Sequence, residues 1–261
     1  MNRREMDSFG FLQSQRALAA APVAVLATDQ PARTVFPAHT HSSGQLIYAV
    51  SGVMIVRADG GSWIVPTGRA VWVPGDLRHE IEMATDTRLR TVYVASAAHA
   101  TLPGTCKAIL VSALLRELIL TAVGISAAAQ YGARERRVLD LILDEIGLAP
   151  ALLLHVPMPR RPALVKLCNE LLLQPALEAT LPGWAARANM HPRTFARAFQ
   201  RETGMTHGAW CRHTRVLLSL PKLAAGASVL DVAVEHGYDS PSAYTAMFRK
   251  VMGVTPTGYF S

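Results

Sequence analysis

Residues 189–204 read NMHPRTFARAFQRETG, and residues 237–253 read GYDSPSAYTAMFRKVMG. The two stretches are copies of one pattern. A shift of 49 residues aligns Pro192 with Pro241, Phe195 with Tyr244, Phe199 with Phe248, Gly204 with Gly253, Thr206 with Thr255 and Trp210 with Tyr259. Upstream of the prolines the shift is 48, pairing Thr180 with Ser228 and Ala185 with Ala233, so the second copy carries one extra residue in its turn. A fixed offset kept on both sides of a short turn marks a duplicated supersecondary unit.

Each copy spells helix, turn, helix. Thr180 and Ser228 are N-cap residues, whose side-chain oxygens can take an orphan N–H of the first turn. The first helix presents Trp184, Ala185 and Ala188 in one copy and Val232, Ala233 and His236 in the other. Asn189-Met190-His191 and Gly237-Tyr238-Asp239 form the turns, and a proline opens each second helix, where its missing N–H costs nothing. Phe195 and Phe199, like Tyr244 and Phe248, lie at i, i+4 and anchor the second helix on the first. Small alanines allow the close crossing of a helix-turn-helix. By spacing alone, an ordinary pair of helical hairpins is the alternative, and the outward arginines argue against it.

The pieces Asn189–Phe195, Phe199–Gly204, Gly237–Ser242, Phe248-Arg249-Lys250 and Gly253–Pro256 resemble the signature of the AraC-type family of transcription regulators, over about 95 residues without a gap. The resemblance implies sequence-specific binding of double-stranded promoter DNA, with the second helix of each unit in the major groove. By position it gives base-contacting roles to Arg193, Thr194 and Arg197 in the first unit and to Ser242, Thr245 and Ala246 in the second. Arginine can grip guanine by two hydrogen bonds, whereas the second unit's short side chains offer only methyl contacts and shape. Arg249 and Lys250 are expected on phosphates. Residues from about Gly208 to Ala225 form the joining helix, in which Pro221 is a departure, expected to kink the helix or break a hydrogen bond. His191 replaces the usual Ser/Thr cap and is expected to weaken that helix start.

Upstream, His155-Val-Pro-Met-Pro-Arg-Arg-Pro162 holds three prolines in eight residues and reads as a linker without regular structure. Two helices precede it, one capped by Ser112 and running to about Ala129, the other over Ala133–Ile146 with Val138, Leu141, Ile142 and Glu145 at helical spacing, separated by a break at Tyr131-Gly132. From Val23 to Ala95 the text is strand-like. Gln45–Val50, Val53–Arg57, Ser62–Val65, Ala70–Val73 and Arg90–Ala95 are separated by Gly, Pro and Asp, the signature of an antiparallel sandwich or barrel.

In that region His39-Thr-His41, Gln45 and Gly52, then Gly68, Pro74-Gly75-Asp76 and His79, resemble the two motifs of the cupin fold. The resemblance implies a small β-barrel in which three histidines and a glutamate converge on a metal, here His39, His41, His79 and Gln45. Gln45 stands where the glutamate is usual, and Asp76 where a glycine is. A neutral amide is a poorer ligand than carboxylate, although three imidazoles can hold zinc, and nickel, manganese or iron are further candidates. Alternatively, the histidines line a pocket for an organic effector, with Gln45, Tyr48, Trp63, Trp72 and Tyr93 as pocket candidates.

Together these readings predict an α+β protein: a cupin-like antiparallel β-barrel (1–108), a helical subdomain (109–148), a linker (149–162), and an all-α domain with two helix-turn-helix units joined by a helix (163–261). The net charge of +7 fits a nucleic-acid partner but decides little. The last 99 residues hold 10 Lys/Arg against 6 Asp/Glu, and the first 162 hold 16 against 13. Cys106, Cys168 and Cys211 are scattered, which argues against a disulfide frame or a zinc knuckle. No membrane span or secretory signal is read, the latter from Met1–Phe11, so a cytoplasmic location is expected. The expected function is a ligand-responsive regulator, not an enzyme, whose barrel binds a small-molecule effector. Residues 112–147 are the candidate homodimer surface, the alternative being that they simply cover one barrel opening, and RNA polymerase is a partner if the protein activates. A metal-dependent cupin enzyme fused to a DNA-binding module is the alternative.

Overall fold

A computed structural model describes residues 22–58, 61–98, 102–126, 132–152 and 154–259. Met1–Phe11, the expected helix end near Ala129 and Tyr131 of the expected break lie outside them. The described residues contain ten strands in two antiparallel sheets, and the chain divides into two compact units.

The first unit, residues 1–59 and 65–154, holds the barrel. One sheet has the order β1-β8-β3-β6-β9, formed by β1 (Val23–Gln30), β8 (Thr87–Val94), β3 (Gly44–Ser51), β6 (Arg69–Val73) and β9 (Lys107–Leu110). In the other, β4 (Val53–Ala58), β7 (His79–Met83) and β2 (Val35–His39) lie side by side. Alternation along each strand sorts the side chains. On the outer face of the first sheet, Leu46, Tyr48, Ala70, Trp72, Val92 and Val94 share one core with Leu115, Ile119 and Ala122 of α1 (Ala113–Ser126) and with Leu139, Ile142 and Ile146 of α2 (Ala133–Leu148). Ser112 does cap α1, its Oγ accepting from Leu115 N–H at 3.0 Å. The two helices therefore cover a sheet face with their apolar stripes.

The second unit comprises residues 60–64 and 155–261. The stretch read as a structureless linker supplies a strand, β10 (His155–Pro157), antiparallel to β5 (Gly61–Pro66) with His155 opposite Trp63. Pro157 closes that strand, where a missing N–H is tolerated. Helices then follow without interruption: α3 (Pro162–Leu173), α4 (Leu181–Arg187), α5 (Pro192–Thr203), α6 (His207–Ala224), α7 (Val229–Glu235), α8 (Pro241–Met252) and α9 (Pro256–Tyr259). None of the described helices is long and apolar enough to cross a membrane.

The duplication holds in three dimensions. Asn189 and Gly237, 48 apart, both take the left-handed conformation in their turns, at φ 53° and 75°. Both second helices end on a left-handed glycine, Gly204 and Gly253. The Phe199 and Trp210 rings meet edge to face at 5.7 Å, and the Phe248 and Tyr259 rings repeat that contact at 5.8 Å. Pro221 does not divide the joining helix, which runs on to Ala224 as one element. It sits in the last turn of α6 and forgoes one internal N–H bond, with only three residues of helix beyond it. Cys168 and Cys211 are buried thiols, and burial pushes both above the usual range, Cys211 to about 11.

Candidate functional sites: a recognition surface and a histidine cluster

Helix α5 has two faces. Phe195, Ala198, Phe199 and Thr203 are buried, whereas Arg193, Thr194, Arg197, Gln200 and Arg201 are exposed. At 100° per residue, Arg193, Arg197, Gln200 and Arg201 fall at i, i+4, i+7 and i+8, one continuous stripe. Neither Arg193 nor Arg197 is engaged in an ion pair among the described residues, whereas Arg201 reaches Glu202 at 4.0 Å. The helix start is capped after all: His191 Nδ1 accepts from Arg193 N–H at 3.3 Å, so the imidazole does what a hydroxyl does elsewhere. Thr180, by contrast, occupies an N-cap position without a side-chain cap bond, while Ser228 accepts from Asp231 N–H at 3.1 Å.

On α8 the matching stripe is Ser242, Ala246, Arg249 and Lys250, all exposed. Thr245 is half exposed and lies at the flank of this stripe, as its repeat partner Ala196 does on α5. The exposed counterpart of Thr194 is Ala243. Gln200 and Arg201 were not singled out from the sequence, although a helical projection extended one turn past Arg197 finds both. The first unit thus offers long polar side chains over two turns. The second offers a hydroxyl and a methyl, then two cations.

The second site lies between the barrel's sheets. The pairing of β2 with β7 slips between Phe36 and His39, so that Phe36 faces Ile81 and His39 faces His79. This bulge swings His39 onto the same face as His79. His41 follows β2, and its carbonyl accepts from Asp76 N–H at 2.8 Å. Asp76 itself has φ 62°, the conformation for which the motif's usual glycine is suited and which aspartate tolerates. The ligand atoms of His39, His41 and His79 lie within 4.8 Å of one another.

Hydrogen bonds fix the tautomers. His39 Nδ1 contacts the Pro37 carbonyl at 2.8 Å, His41 Nδ1 that of Ser43 at 2.8 Å, and His79 Nδ1 that of Leu77 at 2.9 Å. A carbonyl only accepts, so each Nδ1 carries its hydrogen. Burial holds His41 below its ordinary pKa and His79 down to about 4. Both rings are therefore neutral at pH 7 and their Nε2 atoms bear lone pairs. The Gln45 amide oxygen sits 3.1 Å from His41 Nε2 and 2.9 Å from His79 Nε2. Lone pairs and an oxygen do not bond to one another; they converge like ligands around a cation. Turned over, the amide can donate one N–H to each of those two nitrogens and none to His39. The donor set therefore fits a late transition metal: three imidazoles, oriented from behind by carbonyls as metal-binding histidines usually are, plus one amide oxygen.

Strand parity divides the expected pocket residues. Gln45 faces the histidines, and the Tyr93 ring lies 5.8 Å from that of His41. Tyr48 and Trp72 do not: they lie on the outer face of the same sheet, fully buried under α1 and α2, with Trp72 Nε1 donating to the Pro103 carbonyl at 2.7 Å. They are core, because Tyr48 is an odd number of residues from Gln45, and Trp72 sits beside Leu46 in the register. Trp63 stacks on His155 at 4.4 Å in the second unit and is not part of the cluster.

A family model described as a helix-turn-helix domain matches residues 184–261, and one described as a cupin domain matches residues 25–95. The HTH-type transcriptional regulator NimR of Escherichia coli (strain K12) is 32% identical over 225 residues, which is 86% of this chain and 82% of its own length. The virulence regulon transcriptional activator VirF of Yersinia enterocolitica is 33% identical over 86 residues, 31% of this chain and 32% of its own length. Among solved structures, the DNA-binding domain of AdpA in complex with a target DNA is 32% identical, with a TM-score of 0.36, over 38% of this chain and 90% of that one.

Proposed function

The chain belongs to the AraC-type family of helix-turn-helix transcription regulators, and from that premise we propose a division of labour between its parts. It is a DNA-binding regulator. Helix α5 reads bases through Arg193, Thr194 and Arg197, extended by Gln200 and Arg201, while α8 chiefly positions, with Arg249 and Lys250 on phosphates and Ser242 and Ala246 against base edges. The observation that carries this reading is the unbroken polar stripe on α5, set opposite fully buried Phe195 and Phe199. Each bidentate arginine–guanine pair contributes about 1–3 kcal/mol of discrimination.

The barrel is the sensor. His39, His41, His79 and Gln45 would hold a zinc-like ion, and a bound metal there supplies a Lewis-acidic anchor for an effector with a lone pair. Tyr93 lines the same space. The effector must bind the DNA-competent and incompetent states unequally, or it shifts nothing. Exposed Leu114, Leu141 and Leu148 on α1 and α2 support the homodimer reading. The relatives are regulators. Gln45 neither takes nor gives a proton at neutral pH, which favours sensing over catalysis.

Selection from a random-sequence duplex library by the full chain tests the proposal. An enriched motif with a guanine-containing half-site is expected, and enrichment of no motif would sink it. For the sensor, the melting temperature should rise with Zn2+ or Co2+ in the wild type and not in a His41→Ala/His79→Ala double variant. Stoichiometric iron or manganese accompanied by turnover would instead restore the enzyme reading.

A further inference from the structure

The joining helix α6 reaches both recognition helices. Trp210, near its start, packs on Phe199 of α5 at 5.7 Å, and Ser219, near its end, meets the Tyr244 hydroxyl of α8 at 2.6 Å. Between them stands Arg215. Its Nε donates to the Pro175 carbonyl and its Nη2 to the Leu177 carbonyl, both at 2.8 Å. Those carbonyls belong to the loop between α3 and α4, five and three residues before Thr180, the N-cap that opens the first helix-turn-helix unit. The same guanidinium lies 5.9 Å from the ring centroid of Tyr238, in the turn of the second unit.

That turn and that loop touch directly. Gly237 takes φ +75°, and a Cβ there would lie 3.1 Å from Ala176 Cα and 3.2 Å from Ala176 O. The entry of the first unit therefore rests against the turn of the second, and one side chain is bonded to the former while covered by the latter. Arginine suits this place. Two carbonyls need two N–H groups held in one plane, and the tyrosine ring needs a flat cation; a lysine ammonium offers neither the fork nor the face. A helix carrying Pro221 in its last turn lacks one internal bond there. Its own stiffness is thus not the whole restraint on the two units.

We infer that Arg215 is a positioning residue that sets the separation of α5 and α8, and so the spacing of the two DNA half-sites that the chain accepts. The inference rests on the proposal that both helices enter DNA. Helix α6 spans 18 residues, about 27 Å, and successive major-groove turns lie about 34 Å apart. Small changes in how the units sit on α6 therefore decide whether both grooves are reached together.

The experiment is selection from a random duplex library by the full chain and by Arg215→Lys, Arg215→Met and Tyr238→Leu, with folding checked by circular dichroism. The wild type should enrich two half-sites at one spacing. The variants should keep the first half-site and lose the second or scatter its spacing. Their affinity for the wild-type consensus should fall about tenfold, equivalent to one order in the binding constant, with less than about twofold change on the first half-site alone. Should Arg215→Met fail to fold, Arg215→Lys and Tyr238→Leu carry the comparison. Unchanged spacing and affinity in the folded variants overturns the inference and leaves the proposed reading standing. A wild type that enriches no two-part motif overturns that reading, and this inference with it.

Discussion

The Tyr244 hydroxyl donates to Ser219 Oγ, which in turn donates to the Val216 carbonyl; both bonds measure 2.6 Å and both side chains are fully buried. The serine has one hydrogen and spends it on the carbonyl, so the tyrosine is the donor. Tyr244 is the repeat partner of Phe195, and this hydroxyl is one place where the two units differ internally. Tyr244→Phe should cost about 1 kcal/mol, one hydrogen bond. Ser219→Ala should cost more, about 1–3 kcal/mol, because it strands a buried hydroxyl without an acceptor. Urea denaturation of both variants gives the order, and the reverse order would remove the assigned direction.

Arg197 lies in the middle of the exposed stripe of α5. Arg197→Ala should weaken binding to the selected consensus by about 1–3 kcal/mol and binding to random duplex much less. Fluorescence anisotropy on both duplexes at one salt concentration measures this. Equal losses would make Arg197 a phosphate contact.

Gln45 places a neutral amide where the barrel's donor set converges. Gln45→Glu introduces a charge opposite a divalent ion and should tighten Co2+ binding by roughly tenfold or more, about 1.4 kcal/mol or beyond. Visible absorption of the Co2+ complex under chelator competition reads it. Gln45→Leu should weaken binding without abolishing it, since three imidazoles remain. Equal affinity in all three proteins would mean that Gln45 does not touch the metal.

His207 is boxed by Trp184, Phe195 and Phe199, at ring distances of 4.7, 5.6 and 5.6 Å. Burial, then the nearby Arg215 charge, pushes it down to about 4. Above the unfolded value of about 6.5 both states are neutral, and pH has no effect through this group. Between about 6.5 and 4 the unfolded chain takes a proton that the folded chain refuses, so stability falls as pH falls. Below about 4 the loss levels off, at about 3 kcal/mol in all. Unfolding free energies at pH 7.5 and 5 should therefore differ less in His207→Leu than in the wild type. An undiminished difference would assign the acid sensitivity to other groups.

Much of this molecule could be read along the chain. The repeat is local: caps, a turn, a proline and an i, i+4 aromatic pair fall within some 25 residues. Each is fixed by backbone sterics and helical periodicity rather than by distant partners. The outward positions of α5 followed from the same periodicity, and carrying it one turn further would have included Gln200 and Arg201. The three histidines were legible because their spacing matches a known pair of motifs.

What the sequence alone determined is therefore the helical pattern, the duplicated unit and the residue types of both candidate sites. The tertiary structure decided which faces those residues occupy. A one-residue step in a strand sends Tyr48 and Trp72 into the core while Gln45 joins the histidines, and a bulge that no local signal announced turns His39 toward His79. A proline-rich stretch became β10 because β5 supplied its partner. Arg215 meets its two carbonyls across about 40 residues of chain. Registers and long-range contacts of this kind arise from pairing and packing between segments, which periodicity along one segment does not encode.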